Sequence, residues 1–327
     1  METRRLAFGG PEVSRLGLGL AALGRPAYID LGRADDLPGE RSPEDLERRT
    51  HEVLDAALGG GVTYVDAARS YGRAESFLAS WLDARAIRPG RIVVGSKWGY
   101  RYVGGWRLFT DRHEVKDHSA AALQAQLAES RAVLGSHLAL YQIHSATPDS
   151  GVLEDAGVLD DLAALRDSGV RVGVTVSGPG QPDVIRRALA IRRGDAPLFA
   201  SIQATWNVLE RSCEDALREA HAAGRTVIVK EVLANGRLGP RGDAGRDGPL
   251  ALLARDLHVG PDAVAIAAAL ARPWADVVLL GPVTVEQLRS NLRALEVRPG
   301  PALLARVEPL RREPAAYWRE RAALIWT

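Results

Sequence analysis

Read for hydrophobic and polar positions, the chain alternates short apolar runs with longer amphipathic ones. The apolar runs fall at 15–19, 62–66, 91–97, 138–143, 171–176, 198–203, 226–229 and 276–280. Many are rich in β-branched residues and bounded by Gly or Pro, so each predicts a strand. The run Arg91-Ile-Val-Val-Gly-Ser-Lys97 is too apolar to leave one face wet, which places it in a sheet covered on both sides. Between the strands apolar residues recur at helical spacing, as in Phe77, Leu78, Trp81 and Leu82. Helices are expected over 42–58, 75–82, 119–134, 159–168, 182–191, 212–223, 250–257, 261–270 and 285–295. The first has its signals in order: Ser42 to cap, Pro43 in the first turn, Glu44 and Asp45 at the positive end of the dipole, and Gly59-Gly60-Gly61 to stop it.

Strands that alternate with helices imply right-handed crossovers and a parallel sheet. Eight such units at this length favour a closed (β/α)8 TIM barrel. A doubly wound sheet would want Gly-x-Gly-x-x-Gly after its first strand, and Gly17-Leu-Gly19-Leu-Ala-Ala-Leu-Gly24 has the wrong third spacing. One domain over 1–327 is expected, with an N-terminal extension and a C-terminal loop and helix. Two long irregular stretches interrupt the alternation, one after residue 19 and a Gly-rich one at 234–248.

Composition narrows the partners. The 327 residues are 46% hydrophobic and 25% charged, ordinary for a soluble protein with a large core. Lys plus Arg (42) nearly balances Asp plus Glu (41), and a net charge of +1 supplies no field for nucleic acid or an anionic membrane. A small-molecule partner is expected. A single cysteine, Cys213, rules out an internal disulfide, fits a reducing cytoplasm and reads as a small apolar residue near a helix start. No charged-then-apolar leader opens the chain and no apolar run reaches membrane-spanning length, so a cytoplasmic location is expected.

In a barrel, functional groups stand at the C-terminal ends of the strands. There the second strand closes on Asp66 with Tyr71 just beyond, the third on Lys97 and the fourth on His144. Singly, these are a strand cap, a rim aromatic, a snorkelling amine and a satisfied imidazole. Together, on three successive strands, they describe proton donation by a phenol. A free tyrosine, with a pKa of about 10, is a poor acid at neutral pH. A neighbouring ammonium lowers that value by stabilising phenolate, which is the part Lys97 is expected to play, with Asp66 holding Lys97 and His144 bonding a carbonyl oxygen.

The motif Gly61-Val-Thr-Tyr-Val-Asp-Ala-Ala-Arg-Ser-Tyr-Gly72 with Glu75, then Val94-Gly-Ser-Lys97 and Leu140-Tyr-Gln-Ile-His144, resembles the signature of the aldo-keto reductase superfamily, over nearly the whole chain. The resemblance implies a nicotinamide-dependent (β/α)8 oxidoreductase passing hydride to or from a carbonyl or alcohol, in which Tyr71 is the general acid/base. The run Val176-Ser-Gly-Pro-Gly-Gln181 resembles a variant seen in some aldose and galactose dehydrogenase-like members. The family resemblance also implies a carboxamide clamp of Ser177 and Gln203, with Gly178 where most members carry Asn. Lys230 takes the place of the stacking aromatic after strand seven, either along the ring or toward pyrophosphate, with a solvated pair to Glu231 as the plainer reading. Leu233, Asn235 and Gly236 would meet pyrophosphate, Gly19 and Gly281 would border the cofactor, and Val283, Gln287 and Asn291 would face the adenosine. Many NADPH-selective members carry Lys or Arg where this chain has Gly281, Val283 and Gln287, leaving Arg289 as the only nearby base. The resemblance favours NADP(H) and leaves NAD(H) open.

Beyond Lys97 lies Trp98-Gly-Tyr-Arg-Tyr-Val-Gly-Gly-Trp-Arg-Leu-Phe109, an aromatic, glycine-broken loop expected to line the substrate mouth through Trp98, Tyr100 and Trp106. Tyr28 in the first loop joins them, and Tyr317, Trp318 and Trp326 are expected either to supply a further wall or, for Trp318 and Trp326, to pack the C-terminal helix on the barrel. In His113-Glu-Val-Lys-Asp-His118 the second His comes at i+5, so one helical face cannot present both and no metal is expected. Arg241-Gly-Asp243 reads as a chance tripeptide in the Gly-rich loop. Two other functions fit the same residues: a nicotinamide-binding sensor or regulatory subunit with negligible turnover, and tailoring of a glycoside or natural product in which the redox steps cancel.

Overall fold

Eight parallel strands close into a barrel in the computed structural model, which describes residues 1–39 and 41–327. In chain order they are β1 (Leu16–Gly19), β2 (Tyr64–Asp66), β3 (Val93–Trp98), β4 (Leu138–Ala146), β5 (Arg171–Val176), β6 (Ser201–Thr205), β7 (Thr226–Lys230) and β8 (Val277–Leu280). Each pairs with the next and β8 returns to β1, so the sheet has no free edge. The helices are α1 (Pro43–Gly59), α2 (Ala74–Ala84), α3 (Ala120–Leu134), α4 (Ala156–Asp167), α5 (Gln181–Ala190), α6 (Glu214–Ala222), α7 (Pro249–Asp256), α8 (Pro261–Leu270) and α9 (Val285–Leu292). They form the outer ring. The cap expected for α1 is made, with Ser42 Oγ accepting from the Asp45 amide at 3.1 Å.

An antiparallel hairpin, Thr3–Arg5 with Glu12–Ser14, precedes β1. It brings Leu6 and Val13 into one buried cluster with Tyr64, Val93, Leu140, Ile228, Val277 and Leu279. These plug the floor of the barrel, so the opposite rim is the one left for chemistry. The loop after β1 is organised by Arg33, which is fully buried and donates to the carbonyl oxygens of Ala22, Arg25, Pro26 and Thr327.

The stretch after Lys97 differs most from expectation. Trp98 continues β3, and Tyr100–Tyr102 pairs antiparallel with Glu114–Lys116 to form a rim hairpin rather than an irregular loop. Two further helices, α10 (Pro301–Val307) and α11 (Pro314–Ala322), follow the barrel. Among the described residues no helix is long and apolar enough to cross a membrane, and no group of His, Cys, Asp or Glu is placed to hold a metal ion.

Candidate active site

Register carries Asp66 and Lys97 to the same rim. Asp66 lies opposite Gly19 on β1 and Gly95 on β3, and Lys97 stands two residues beyond Gly95. Asp66 and Lys97 are 2% and 1% exposed, and they form an ion pair. Lys97 Nζ also donates to the Ala67 carbonyl at 2.9 Å and to Tyr71 Oη at 3.3 Å. All three ammonium protons therefore have acceptors. Because Lys97 occupies a lone pair of the phenol, the phenol's own proton is left free to point into the cleft. The remaining Asp66 oxygen accepts from Gln203 Nε2 at 3.1 Å and, at 3.4 Å, from Gln142 Nε2 and Tyr64 Oη. So a buried carboxylate is satisfied on both oxygens.

His144 arrives through an irregularity. The β4–β5 register shifts between Ile143 and Ala146, where Ser145 has φ +52°. A bulge at a strand end re-aims a side chain, and here it brings the His144 ring to 5.4 Å from the Tyr71 ring, edge on at 83°. His144 Nδ1 lies 3.4 Å from Ser70 Oγ. Burial and the nearby Lys97, Lys230 and Arg25 charges hold its pKa well below the usual imidazole value, so it stays neutral. The four expected side chains thus share one place.

The acidity expected of Tyr71 is not what this environment gives. Burial and Asp66 push its pKa well above 10. The reason is that Lys97 has spent its charge on Asp66, while burial drives the amine itself below its usual value. Tyr71 therefore rests as a neutral phenol, a proton donor.

From this point a cleft of about 430 Å³ crosses the barrel mouth. Gly19, Ser177, Gln203, Lys230, Leu233, Asn235, Gly236, Gly281, Gln287 and Asn291 line it, as do Tyr28, Asp66, Tyr71 and His144. Gly178, with φ +91°, and Val283 do not. Val283 is buried in the hydrophobic core, and only its amide turns to a residue of the cleft, donating to Gln287 Oε1 at 2.8 Å. Lys230 is neither free nor solvated: Nζ donates to Ser177 Oγ at 3.0 Å and Thr205 Oγ1 at 2.8 Å, and burial pushes it down to about 8. Burial would raise Glu231, but Arg321 of α11 and Lys230 outweigh it and hold the carboxyl at about 2.

The aromatic wall is rearranged. Trp98 is wholly buried beside His118. Trp106 packs edge on against Phe77 of α2 and donates Nε1 to the Arg41 carbonyl at 2.8 Å. Trp318 is buried against Tyr317 with Arg321 over its ring. None of the three borders the cleft, and Tyr100 reaches it only by leaning on the His144 ring at 5.1 Å. Trp326 does line it, stacked on His113 at 4.3 Å and edge on to Tyr28 at 6.1 Å.

Sequence reasoning missed Arg25, Glu114 and Arg241, all of which line the cleft. Arg241 comes from the Gly-rich loop, where its tripeptide had seemed accidental. It is ion-paired with Asp36, which also accepts from Gln287 Nε2 at 2.6 Å, whereas Arg289 is exposed and off the cleft. The signal available was only the length and glycine content of that loop.

The cleft fits a dinucleotide. Ala234, Asn235 and Gly236 have successive φ of +49°, +55° and +85°, a left-handed run whose Asn235 and Gly236 line the cleft. Asn235 Oδ1 and Asp262 Oδ1 are buried acceptors with no hydrogen-bond partner, and nothing stands within 4 Å of where a Cβ on Gly281 would be.

Comparison with known proteins agrees with this geometry. The model of the aldo/keto reductase family matches residues 15–308, and the chain belongs to that family. Protein tas of Escherichia coli is 22% identical over 94% of this chain and 97% of that protein. The uncharacterized oxidoreductase YrpG of Bacillus subtilis is 26% identical over 77% of the chain and 83% of its own length. Among solved structures, the holo form of the aldo-keto reductase AKR11C1 from Bacillus halodurans superposes with a TM-score of 0.72 at 23% identity, covering 98% of this chain and 99% of that one. PA4992 of Pseudomonas aeruginosa gives 0.62 at 24% identity over 93% and 95%. The chain is accordingly a nicotinamide-dependent oxidoreductase of small-molecule carbonyls.

Proposed function

We propose that the chain interconverts an aldehyde, ketone or sugar-like carbonyl and its alcohol with NADP(H), with Tyr71 exchanging the proton. The observation that carries this reading is the buried Asp66–Lys97 pair with its amine 3.3 Å from Tyr71 Oη at the edge of the cleft. Bound nicotinamide supplies the hydride. Tyr71, a neutral phenol at rest, gives its proton to the carbonyl oxygen as negative charge develops there. His144, held neutral, offers that oxygen a second hydrogen bond and does not compete for the proton. Lys97 steadies the phenolate left behind, and Asp66 keeps Lys97 in place. Ser177 and Gln203 hold the carboxamide, and Lys230, fixed by Ser177 and Thr205, faces the ring or the first phosphate.

The test is titration with NADPH and NADH by tryptophan fluorescence, followed by a panel of carbonyls and alcohols read by nicotinamide absorbance. Turnover is expected on the panel. Tight binding without any turnover would make the chain a sensor instead, and product formed with cofactor levels unchanged would point to tailoring with hidden redox steps.

Arg241 supports NADP(H), because a 2′-phosphate needs a cation and this one lines the cleft, linked to Gln287 through the Asp36 carboxylate that both contact. Arg241→Ala is expected to weaken NADPH about tenfold, the loss of a charged hydrogen bond of about 1.5 kcal/mol, and to leave NADH within about twofold. Equal losses for the two cofactors would remove Arg241 from the 2′ end.

A further inference from the structure

We propose that Arg25 is a positioning residue for Tyr71, adding to Lys97 a second positive charge that stabilises its phenolate once the proton has left. The inference rests on Tyr71 as the proton donor. Two glycines bring Arg25 there. The loop after β1 and the turn after Tyr71 touch backbone to backbone, and a Cβ on Gly24 would overlap the Tyr71 carbonyl while one on Gly72 would overlap the Gly24 carbonyl. Arg73 N donates to that same Gly24 carbonyl at 2.7 Å. Only residues without side chains allow so close an approach, and Gly72 also has φ +60°.

The next residue, Arg25, then has one place to go. Its Nη1 donates to the Ser70 carbonyl at 3.0 Å and to Glu114 Oε2 at 2.8 Å, and Nε has no hydrogen-bond partner. The guanidinium carbon sits 5.3 Å from the centre of the Tyr71 ring, 5.0 Å from Tyr28 and 4.7 Å from Trp326. An arginine packed against three rings and bonded to the carbonyl before Tyr71 is fixed relative to that phenol.

The charges facing Tyr71 decide what Arg25 contributes. Asp66 and Lys97 face it from β2 and β3 as a closed pair, His144 faces it from β4 uncharged, and Glu231, tied to Lys230 and Arg321, faces it from the loop after β7. Glu114 opposes Arg25 from the rim hairpin, but the pair is unsymmetrical. The Arg25 side chain is 2% exposed and that of Glu114 is 25% exposed. Water screens the carboxylate more than the guanidinium, so the positive end acts on the phenol through the less polarisable side. Lys97 Nζ lies 4.7 Å from the centre of the Tyr71 ring, and Arg25 is the second cation beside it, favouring phenolate against burial and Asp66.

The test exploits opposite signs. A fluorotyrosine placed at position 71, more acidic than tyrosine, is titrated by fluorine NMR in the otherwise unchanged chain and in Arg25→Met, Arg25→Lys and Glu114→Gln, and the pH profile of kcat/KM for alcohol oxidation is measured on the same three variants with natural Tyr71. Arg25→Met is expected to move the position-71 midpoint up by about one unit, with a matching alkaline shift of the rate profile and about a tenfold loss at neutral pH. Arg25→Lys is expected to restore most of the shift. Glu114→Gln is expected to move the midpoint down. A packing role for Arg25 would lower rate in Arg25→Met and Glu114→Gln alike without moving either midpoint, and that result overturns the proposal. Should Arg25→Met fail to fold, the direction in Glu114→Gln decides alone. The NMR midpoint does not depend on turnover, so an active Tyr71→Phe enzyme would sink the proposed function while unmoved midpoints would sink only Arg25.

Discussion

Tyr71→Phe is expected to lower kcat for carbonyl reduction by about 10²- to 10⁴-fold, the range that a positioned general acid contributes, while fluorescence titration with NADPH stays within about twofold. The separation follows from where the hydroxyl sits. Among the described residues Tyr71 Oη has one hydrogen-bond partner, Lys97 Nζ at 3.3 Å, and its loss leaves the Asp66–Lys97 pair and the Lys97 contact to the Ala67 carbonyl in place. The phenylalanine ring keeps the edge contact to His144 and the Arg25 guanidinium over its face. Nothing at the Gln287 end of the cleft, where most of a dinucleotide would lie, is disturbed. Water can reach a vacated hydroxyl site and donate weakly, which is why the residual rate is not zero. Full turnover by Tyr71→Phe would assign the proton to another group, and the protein would need a different acid.

The barrel and the four side chains were legible because both follow from local pattern. Strand and helix periods alternate clearly, and in a closed parallel sheet every strand ends on the same rim, so Asp66, Lys97 and His144 had to face one another once the fold was right. Their mutual distances were not legible. The bulge at Ser145 and the glycine contact between Gly24 and Gly72 depend on backbone from different units, and no single run of sequence encodes them. The aromatic loop misled for a related reason. Trp98, Trp106 and Trp318 announce apolar area but not direction, and the structure turns them into the barrel wall, onto α2 and under α11 instead of toward the cleft. The acidity of Tyr71 misled because a sequence that puts Asp66 on Lys97 does not say how deeply the phenol is buried or that burial and this carboxylate outweigh the amine. Arg241 and Arg25 were hidden in segments without periodicity, where only the folded loop shows what the side chain meets.

The Asp66–Lys97 pair makes Lys97→Met the second variant with a large expected effect, this time on stability and activity together. Removing the ammonium leaves Asp66 buried with only neutral donors, Gln203, Gln142 and Tyr64, and breaking one partner of a buried pair costs about 3–5 kcal/mol. Chemical denaturation is expected to show that loss, and kcat is expected to fall at least about 10²-fold because the phenolate loses its donor. The two effects part in the double variant Asp66→Asn with Lys97→Met, in which no charge is left unpaired: most of the stability is expected to return, since an ion pair replaced by neutral groups is often near break-even, while activity stays low. If the double variant regained activity along with stability, Lys97 would be a structural brace for Asp66 and the chemistry would not need its charge. If Lys97→Met alone were as stable as the parent chain, Asp66 would have to be protonated or hydrated in the variant, and the rate of the single variant at low pH would then separate those two routes.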